Sequence, residues 1–359
     1  MSTLRLLADD LTGALDSAAP FAAAGEPLSV RWFGEADGAA VHPGGEAAWV
    51  VSTASRDLPE QAAVARVAAL APALMGGSPA FKKIDSLLRG NTVAEIVAAH
   101  RAGGFARTLV TPAFPAQGRR VRAGRLVLRA ADGTETAGPD LAGLLAAAGA
   151  DPAITVCDAE TEADLAALVA SHRSARGLLW AGAGGLARAL CPPAAPCALP
   201  EGRPVLVVTA SLHGVTRAQL AAIAAPGLVP VLRDDGLGDA AAVGQAVAHR
   251  LASRLSSVLD ASPPGPVADP AARAAACFAP LVAAPPPGLL IVAGGDTLGR
   301  LLAALGCTRL ALAGEVAPGL PLSVLQGGVW DGVSLVSKSG AFEDDGVMAR
   351  AIAAAAGRE

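Results

Sequence analysis

The chain has 359 residues, of which 52% are apolar, 17% charged and 3% aromatic, with no Tyr and a formal charge of −4. That length suits two domains of ordinary size, and the apolar content supports a sizeable core. So few aromatics and no basic run argue against nucleic acid as a partner, since stacking platforms and a positive footprint are both missing.

Five cysteines, an odd number with no CxxC pair and no histidine close by, read as reduced structural thiols rather than a zinc site or a disulfide framework. The N-terminus enters a strand pattern directly, without a basic leader or cleavage site. Residues 274–295 are uncharged over almost a membrane length, but Pro280 and Pro285-Pro286-Pro287 interrupt them. They are expected to be a linker and then a buried strand. The expectation is a soluble, cytoplasmic protein with no membrane partner.

Residues 4–8 are an apolar run that reads as a buried strand, ended by Asp9-Asp10, and residues 11–24 carry helical spacing up to Gly25. Strands are expected at 28–33 and 48–52, with a Gly-rich loop at 36–45 between them. The second of these ends in Ser52-Thr53-Ala54-Ser55-Arg56. A helix at 59–74, a strand at 80–84, a helix at 92–101 and a strand at 108–111 follow. Strands alternating with helices indicate βαβ units and a mainly parallel sheet. Residues 117–139 interrupt this rhythm with Arg and Gly, and Asp132-Gly133 signals a hairpin between 126–129 and 134–136. Alternation resumes with a strand at 154–157, a helix at 162–172 and a strand at 177–180, and residues 182–185 open another helix.

Residues 191–204 hold five prolines in fourteen positions, which favours an extended connection between domains at 1–190 and 205–359. Beyond it, strands are expected at 205–209, 229–233, 289–293, 310–312 and 333–337. Helices are expected at 216–224, 239–257, 297–305 and 347–356, with a Pro-rich loop at 262–270. The fold class is therefore α/β, as two α/β domains with mainly parallel sheets.

Four stretches carry chemistry. Asp9 and Asp10 follow the first strand and precede a helix, where a carboxylate can bind Mg²⁺, orient a hydroxyl or act as a base, or can simply cap the helix. Their adjacency differs from the Asp-x-Asp of aspartyl phosphohydrolases. Residues 82–91, KKIDSLLRGN, form a dense polar cluster at a strand end, where open α/β sheets bind ligands. In it Arg89 suits bidentate carboxylate recognition, Lys82 or Lys83 supplies a point charge, and Asp85, Ser86 and Asn91 can bond hydroxyls. The bland reading is a solvated strand-to-helix turn with Asn91 as the cap. Gly294-Gly295-Asp296-Thr297 lets a backbone approach a phosphate at a helix N-terminus, or is a tight capped turn. It matches neither the P-loop nor the GxGxxG fingerprint. The loops 314–319 and 338–342 are Gly-containing and each follows a strand, as phosphate-cradling loops do. No GxGxxG turn follows the first strand, which argues against a dinucleotide-dependent oxidoreductase.

Taken together and in order, these stretches resemble the four-carbon acid sugar kinase family. ADDLTGA, KKIDSLLRGN, TPAFPAQGR, VCDAETEADL and LWAGAGGLARAL are similar to that family's substrate domain. VLVVTASLHGVTRAQ, VAGGDTLGRLLAALG, GEVAPGLPLSVL and VSKSGAF are similar to its nucleotide domain. The resemblance implies an N-terminal domain that binds the acid sugar, a C-terminal domain that binds ATP without a P-loop, and an active site in the cleft between them. It carries substrate-side roles to Asp9, Asp10, Lys83, Asp85, Ser86, Arg89 and Asn91, and ATP-side roles to Ser211, Gly294, Gly295, Asp296, Thr297 and Gly340.

The implied reaction is phosphorylation of the terminal hydroxyl of a four-carbon sugar acid such as threonate, erythronate or a 3-oxo derivative, with ATP and Mg²⁺. One of Asp9 or Asp10 is expected to be the base. A homo-oligomer is compatible with the chain. Three departures stand out. Leu87 replaces the family's usual Thr, His213 replaces a second hydroxyl in Ala210-Ser211-Leu212-His213, and Glu343 follows Gly340-Ala341-Phe342 where Gly is favoured. The second and third motivate an alternative, a ligand-binding or regulatory protein that kept the scaffold and lost catalysis.

Overall fold

The computed structural model describes residues 3–25, 27–33, 46–130, 132–191, 193–200, 203–224, 229–263, 265–339 and 346–355. The 36–45 loop, Gly340 and Glu343 lie outside these residues. The chain divides into two compact units, Met1–Ala195 and Pro196–Glu359.

The first unit runs β1 (Arg5–Ala8), α1 (Leu11–Ala23), β2 (Leu28–Trp32), β3 (Trp49–Ser52), α2 (Glu60–Leu74), β4 (Ala80–Lys83), α3 (Thr92–Gly103) and β5 (Arg107–Thr111). A three-stranded antiparallel excursion follows, made of β6 (Arg119–Arg122), β7 (Arg125–Arg129) and β8 (Glu135–Asp140). Then come α4 (Leu141–Ala147), β9 (Ile154–Val156), α5 (Glu162–His172), β10 (Leu178–Gly182) and α6 (Gly184–Ala189). The main sheet has the order β2-β3-β1-β4-β10-β5-β9, and every pairing in it is parallel. The central strands β3, β4 and β10 are buried along their whole length, because helices cover both faces of a parallel sheet. Leu7, Val51 and Leu179 from the strands pack with Val67, Leu70 and Leu74 of α2.

The topology fixes where a ligand can sit. The connection leaving β1 runs through α1 toward β2, on one side of the sheet order, and the connection leaving β4 runs through α3 toward β5, on the other. Because β1 and β4 are neighbours, their carboxyl ends flank a topological switch point, the usual ligand crevice of open α/β sheets.

The second unit runs β11 (Val205–Thr209), α7 (Gly214–Ala224), β12 (Val231–Arg233), α8 (Ala240–Ala252), β13 (Ser257–Asp260), α9 (Pro270–Phe278), β14 (Leu289–Ala293) and α10 (Gly295–Ala304). It continues through β15 (Arg309–Ala317), β16 (Leu320–Gln326), β17 (Ser334–Lys338) and α11 (Val347–Ala355). Its order is β12-β13-β11-β14-β17-β16-β15. The first five strands are parallel, and β16 is antiparallel to both of its neighbours. Here too two adjacent strands send their chains opposite ways: β11 leads through α7 to β12, and β14 leads through α10 to β15. The second switch point therefore lies at the carboxyl ends of β11 and β14.

Several local expectations change. The helix expected to reach residue 257 stops at Ala252, where Arg254 takes a left-handed φ of 56°, and the apolar residues beyond it form β13. The stretch expected to be a linker begins inside α9, and its buried strand is β14 as anticipated. The 314–319 segment is a strand end and a tight turn: Gly314 through Ala317 end β15, which turns into β16. Cys277 and Cys307 are buried as expected, whereas Cys157, Cys191 and Cys197 are half-buried. Among the described residues no helix is long and apolar enough to cross a membrane.

Candidate active site

At the first switch point three loops meet. Ala8 leads directly into Asp9 and Asp10, and Asp10 occupies the N-cap position of α1. Its side chain makes no capping bond; instead Oδ2 accepts a hydrogen bond from Thr12 Oγ1 at 2.8 Å. The loop after β3 is stitched to this turn, with Thr53 N donating to Ala8 O at 2.8 Å and Ser55 N to Asp9 O at 3.0 Å. That places Arg56 across both carboxylates. Its Nε lies 2.8 Å from Asp9 Oδ2 and its Nη2 2.7 Å from Asp10 Oδ1 and 3.5 Å from Asp85 Oδ2.

The loop after β4 supplies the third wall. Asp85 is buried and organises its own turn, accepting Leu87 N at 2.9 Å and Arg89 N at 3.2 Å on Oδ1. It also takes Arg89 in a two-point pair, at 3.1 Å from Nε and 2.7 Å from Nη2. Gly90 is required here: its φ is +69°, and a Cβ would stand 2.6 Å from the Arg56 carbonyl oxygen. Lys83 is buried, with Nζ 3.8 Å from Asp10 Oδ1. Gly13 makes room for both groups, since a Cβ there would fall 2.2 Å from Asp10 Oδ1 and 2.6 Å from Lys83 Nζ.

The electrostatics separate the two adjacent aspartates. Burial pushes the Asp9 carboxyl up, with Lys83 opposing and the Asp10 charge adding to the rise. Burial acts on Asp10 in the same sense, but Lys83, Arg56 and the Thr12 hydroxyl outweigh it and hold that carboxyl below the ordinary range. Asp85 is held well below the ordinary range, because the Arg89 hydrogen bonds and the charges of Arg56 and Lys83 overcome its burial. Both oxygens of Asp10 are engaged, whereas Asp9 Oδ1 is buried with no hydrogen-bond partner among the described residues.

The predicted residues thus fall into two groups. Asp9, Asp10, Lys83, Asp85 and Arg89 come together, with Ser86 half-buried in the same turn. Lys82 does not join them. Neighbouring strand residues face opposite sides, and Lys82, fully buried, pairs with Glu95 at 2.7 Å while Glu95 accepts Ser55 Oγ. Its expected contact with substrate is corrected to an internal ion pair. Asn91 stands at the N-cap of α3 but makes no side-chain capping bond; its Nδ2 ties the loop after β3 by donating to Ser55 O at 3.0 Å and Leu58 O at 2.9 Å. The residue missed from sequence is Arg56, whose only signal was its place in the polar run after β3.

At the second switch point Gly294, with φ +105°, is the N-cap of α10. The turn is fastened to the loop after β11: Ala210 N donates to Thr297 Oγ1 at 3.0 Å, Thr209 Oγ1 to Ala293 O at 3.0 Å, and Ser211 N to Thr209 Oγ1 at 3.1 Å. A Cβ on Gly294 would stand 3.2 Å from Thr297 Oγ1 and 3.7 Å from Ser211 Cβ. So Ser211, Gly294, Gly295 and Thr297 are drawn together. Thr297 is buried as a tie between loops, and Asp296 is exposed in the first turn of α10. His213 shapes the same turn, its Nδ1 accepting Val215 N at 3.3 Å. Among the described residues no three His, Cys, Asp or Glu side chains converge as a metal-ligand set. The carboxylates of the first site are occupied by arginine and lysine instead.

Comparison with known proteins agrees with this division. A sugar-binding N-terminal domain family matches residues 4–142, and a nucleotide-binding C-terminal domain family matches residues 206–348. The D-threonate kinase of Bordetella bronchiseptica is 34% identical over 397 residues, covering 96% of each chain. That of Cupriavidus necator is 32% identical over 380 residues, covering 89% of each. The fold is shared with a solved structure from Salmonella typhimurium LT2, at a TM-score of 0.72, 24% identity and coverage of 96% of this chain and 98% of that one. It is also shared with one from Haemophilus influenzae, at a TM-score of 0.66, 20% identity and the same coverages. The molecule is an enzyme, a phosphotransferase of the sugar-acid kinase class that acts on an alcohol group. It belongs to the four-carbon acid sugar kinase family.

Proposed function

We propose that the chain transfers the terminal phosphoryl group of ATP to the terminal hydroxyl of a four-carbon sugar acid of the threonate, erythronate or 3-oxo-tetronate type. The observation that carries this reading is Asp9. It is a buried carboxylate with one oxygen fixed by Arg56 and the other unpartnered, at the switch point where a substrate belongs. Near-full-length similarity to two D-threonate kinases supports a four-carbon acid and makes D-threonate the first one to test.

In this reading Lys83 and Arg89 hold the acid's carboxylate, and Ser86 meets a hydroxyl. Asp85 keeps Arg89 in place, and Asn91 keeps the loop after β3 in place. Asp9 Oδ1 accepts the proton of the attacking hydroxyl; the raised carboxyl makes it a better base than Asp10, whose oxygens are taken by Thr12 and Arg56. The hydroxyl oxygen bonds to the γ-phosphorus, the bond to the β–γ bridging oxygen breaks, and ADP leaves. On the second unit the backbone at Gly294 and Gly295, with Ser211 and Gly340, receives the phosphates, because a glycine turn at a helix N-terminus exposes N–H groups to an anion. Mg²⁺ enters with the nucleotide as part of the substrate. The reaction requires the bound acid and the γ-phosphate to meet during turnover. A cytoplasmic site of action and a homo-oligomer are compatible with this reading.

The test is ADP release from Mg-ATP by the purified full chain against a panel of tetronates, with the phosphorylated product identified by NMR. No acid-dependent ADP from any member sinks the substrate assignment. Asp9→Asn is expected to lower kcat by about 10²–10⁴ with KM little changed; wild-type turnover in that variant removes Asp9 as the base.

A further inference from the structure

Lys338 is the last residue of β17, and its carbonyl accepts the Gly294 N–H at 3.0 Å. In the sheet it stands opposite Ala293, so the two side chains leave on the same face. That face is apolar, with Ala293 packed among Ile223 of α7 and Met348 and Ile352 of α11. The Lys338 side chain is 1% exposed, and its Nζ has no hydrogen-bond partner among the described residues. Burial alone lowers its pKa to about 8, with no neighbouring charge contributing.

The contrast with Lys82 is informative. That lysine lies in β4 and is as deeply buried, but it has Glu95 at 2.7 Å. A lysine kept only for the fold is paired in this way, since an isolated buried ammonium is costly. Lys338 has no such partner among the described residues, and it adjoins a turn that lacks positive charge. Ser211, Gly294, Gly295 and Thr297 are uncharged, and Asp296 is acidic.

We infer that Lys338 is a phosphate-binding residue of the nucleotide site, its ammonium supplying the charge that the glycine turn lacks. The inference rests on the nucleotide reading of the second unit. The ligand it recognises is a polyphosphate chain, and the nucleoside does not depend on it. Bound phosphate gives the ammonium the counter-charge that it lacks among the described residues, so the cost carried by the free enzyme is recovered in the complex.

Isothermal titration of the full chain separates the outcomes. ATP, inorganic tripolyphosphate and adenosine are titrated into the wild type, Lys338→Met and Lys338→Gln. Both variants are expected to lose about 10- to 100-fold in affinity for ATP and for tripolyphosphate, the range of one charge-assisted hydrogen bond. Adenosine binding should be unchanged, and the ligand-free variants should melt no lower than the wild type. Unchanged ATP affinity in both variants overturns the inference and leaves the nucleotide reading standing. Equal losses for adenosine and ATP also overturn it, since they report a reorganised pocket. A wild type that binds neither ATP nor tripolyphosphate overturns the nucleotide reading, and this inference with it.

Discussion

Removal of Arg56 should damage the first unit severely. Replacing it with Met keeps most of the stem's volume and removes the guanidinium. The side chain is 18% exposed and bonds Asp9 at 2.8 Å and Asp10 at 2.7 Å, carboxylates whose side chains are 6% and 19% exposed. Without it, Asp9, Asp10 and Asp85 share only Lys83 and Arg89. Removing one partner of a buried pair costs about 3–5 kcal/mol, because the other charge is left uncompensated. With a urea m-value of about 2–3 kcal/mol/M, that is a midpoint lower by about 1–2 M. Trp49 and Trp180 are buried in this unit and report its unfolding by fluorescence. The pH dependence identifies the mechanism. Asp10 and Asp85 have depressed carboxyls in the folded chain, so the stability they contribute is present above about pH 4 and is lost as pH falls through their folded values. The gap between wild type and Arg56→Met should therefore be widest near neutrality and narrow in acid. Turnover should fall too, since Asp9 loses the guanidinium that fixes its Oδ2. A gap that is the same at every pH would mean that Arg56 acts through its aliphatic stem, and would refute the charge argument.

Lys82→Met leaves Glu95 buried and unpaired, so it should destabilise the first unit by about 3–5 kcal/mol in urea, and the Lys82→Met/Glu95→Leu double variant should recover most of that. Both should leave KM for acid and nucleotide unchanged; a raised KM would return Lys82 to the site. Arg89→Ala, at a side chain 60% exposed, should change stability by less than about 1 kcal/mol while raising KM for the acid. An unchanged KM would show that the acid's carboxylate is held elsewhere. For Lys338, a folded pKa of about 8 lies below the unfolded value, so the unfolded state binds more protons in between and stability rises with pH from about 8 to about 10.5. Denaturation across that window should show a gain of up to about 3 kcal/mol that is absent from Lys338→Met.

Much of this was readable in the sequence, and the misses share a cause. Helices such as α2 and strands such as β11 announce themselves by period or by an apolar run, and the polar residues just beyond β1, β4 and β14 lie at the two switch points. What a one-dimensional reading lacks is which strands become neighbours. Arg56 reaches Asp9 and Asp10 only because β3 pairs with β1, two strands more than forty residues apart. Lys82 and Lys83 look equivalent in sequence, yet the two-residue period of β4 must send them to opposite faces, and only the Glu95 contact shows which one is internal. Strand β13 was hidden because no Gly marks the end of α8; Arg254 takes the left-handed turn instead.

The two switch points share a topology and differ in how they are furnished, and in the proposed reading the difference follows from what each has to distinguish. A sugar acid is read through its hydroxyls and one carboxylate, so its site needs directed side chains. The first unit supplies them in opposed pairs, with Arg56, Lys83 and Arg89 set against Asp9, Asp10 and Asp85. Such a set is neutral overall, and its members hold one another in place before substrate arrives, which lowers the reorganisation that binding demands. Phosphates are alike on every nucleotide and need only N–H groups and positive charge. In that reading the second unit presents a glycine turn beside Lys338, a buried cation of the neighbouring strand. If charge were simply scattered along the chain, the unpaired lysine would be as easily found far from the turn as beside it. Its main-chain carbonyl bonds Gly294 N, and in the proposed reading that contact sets the lysine beside the glycine turn.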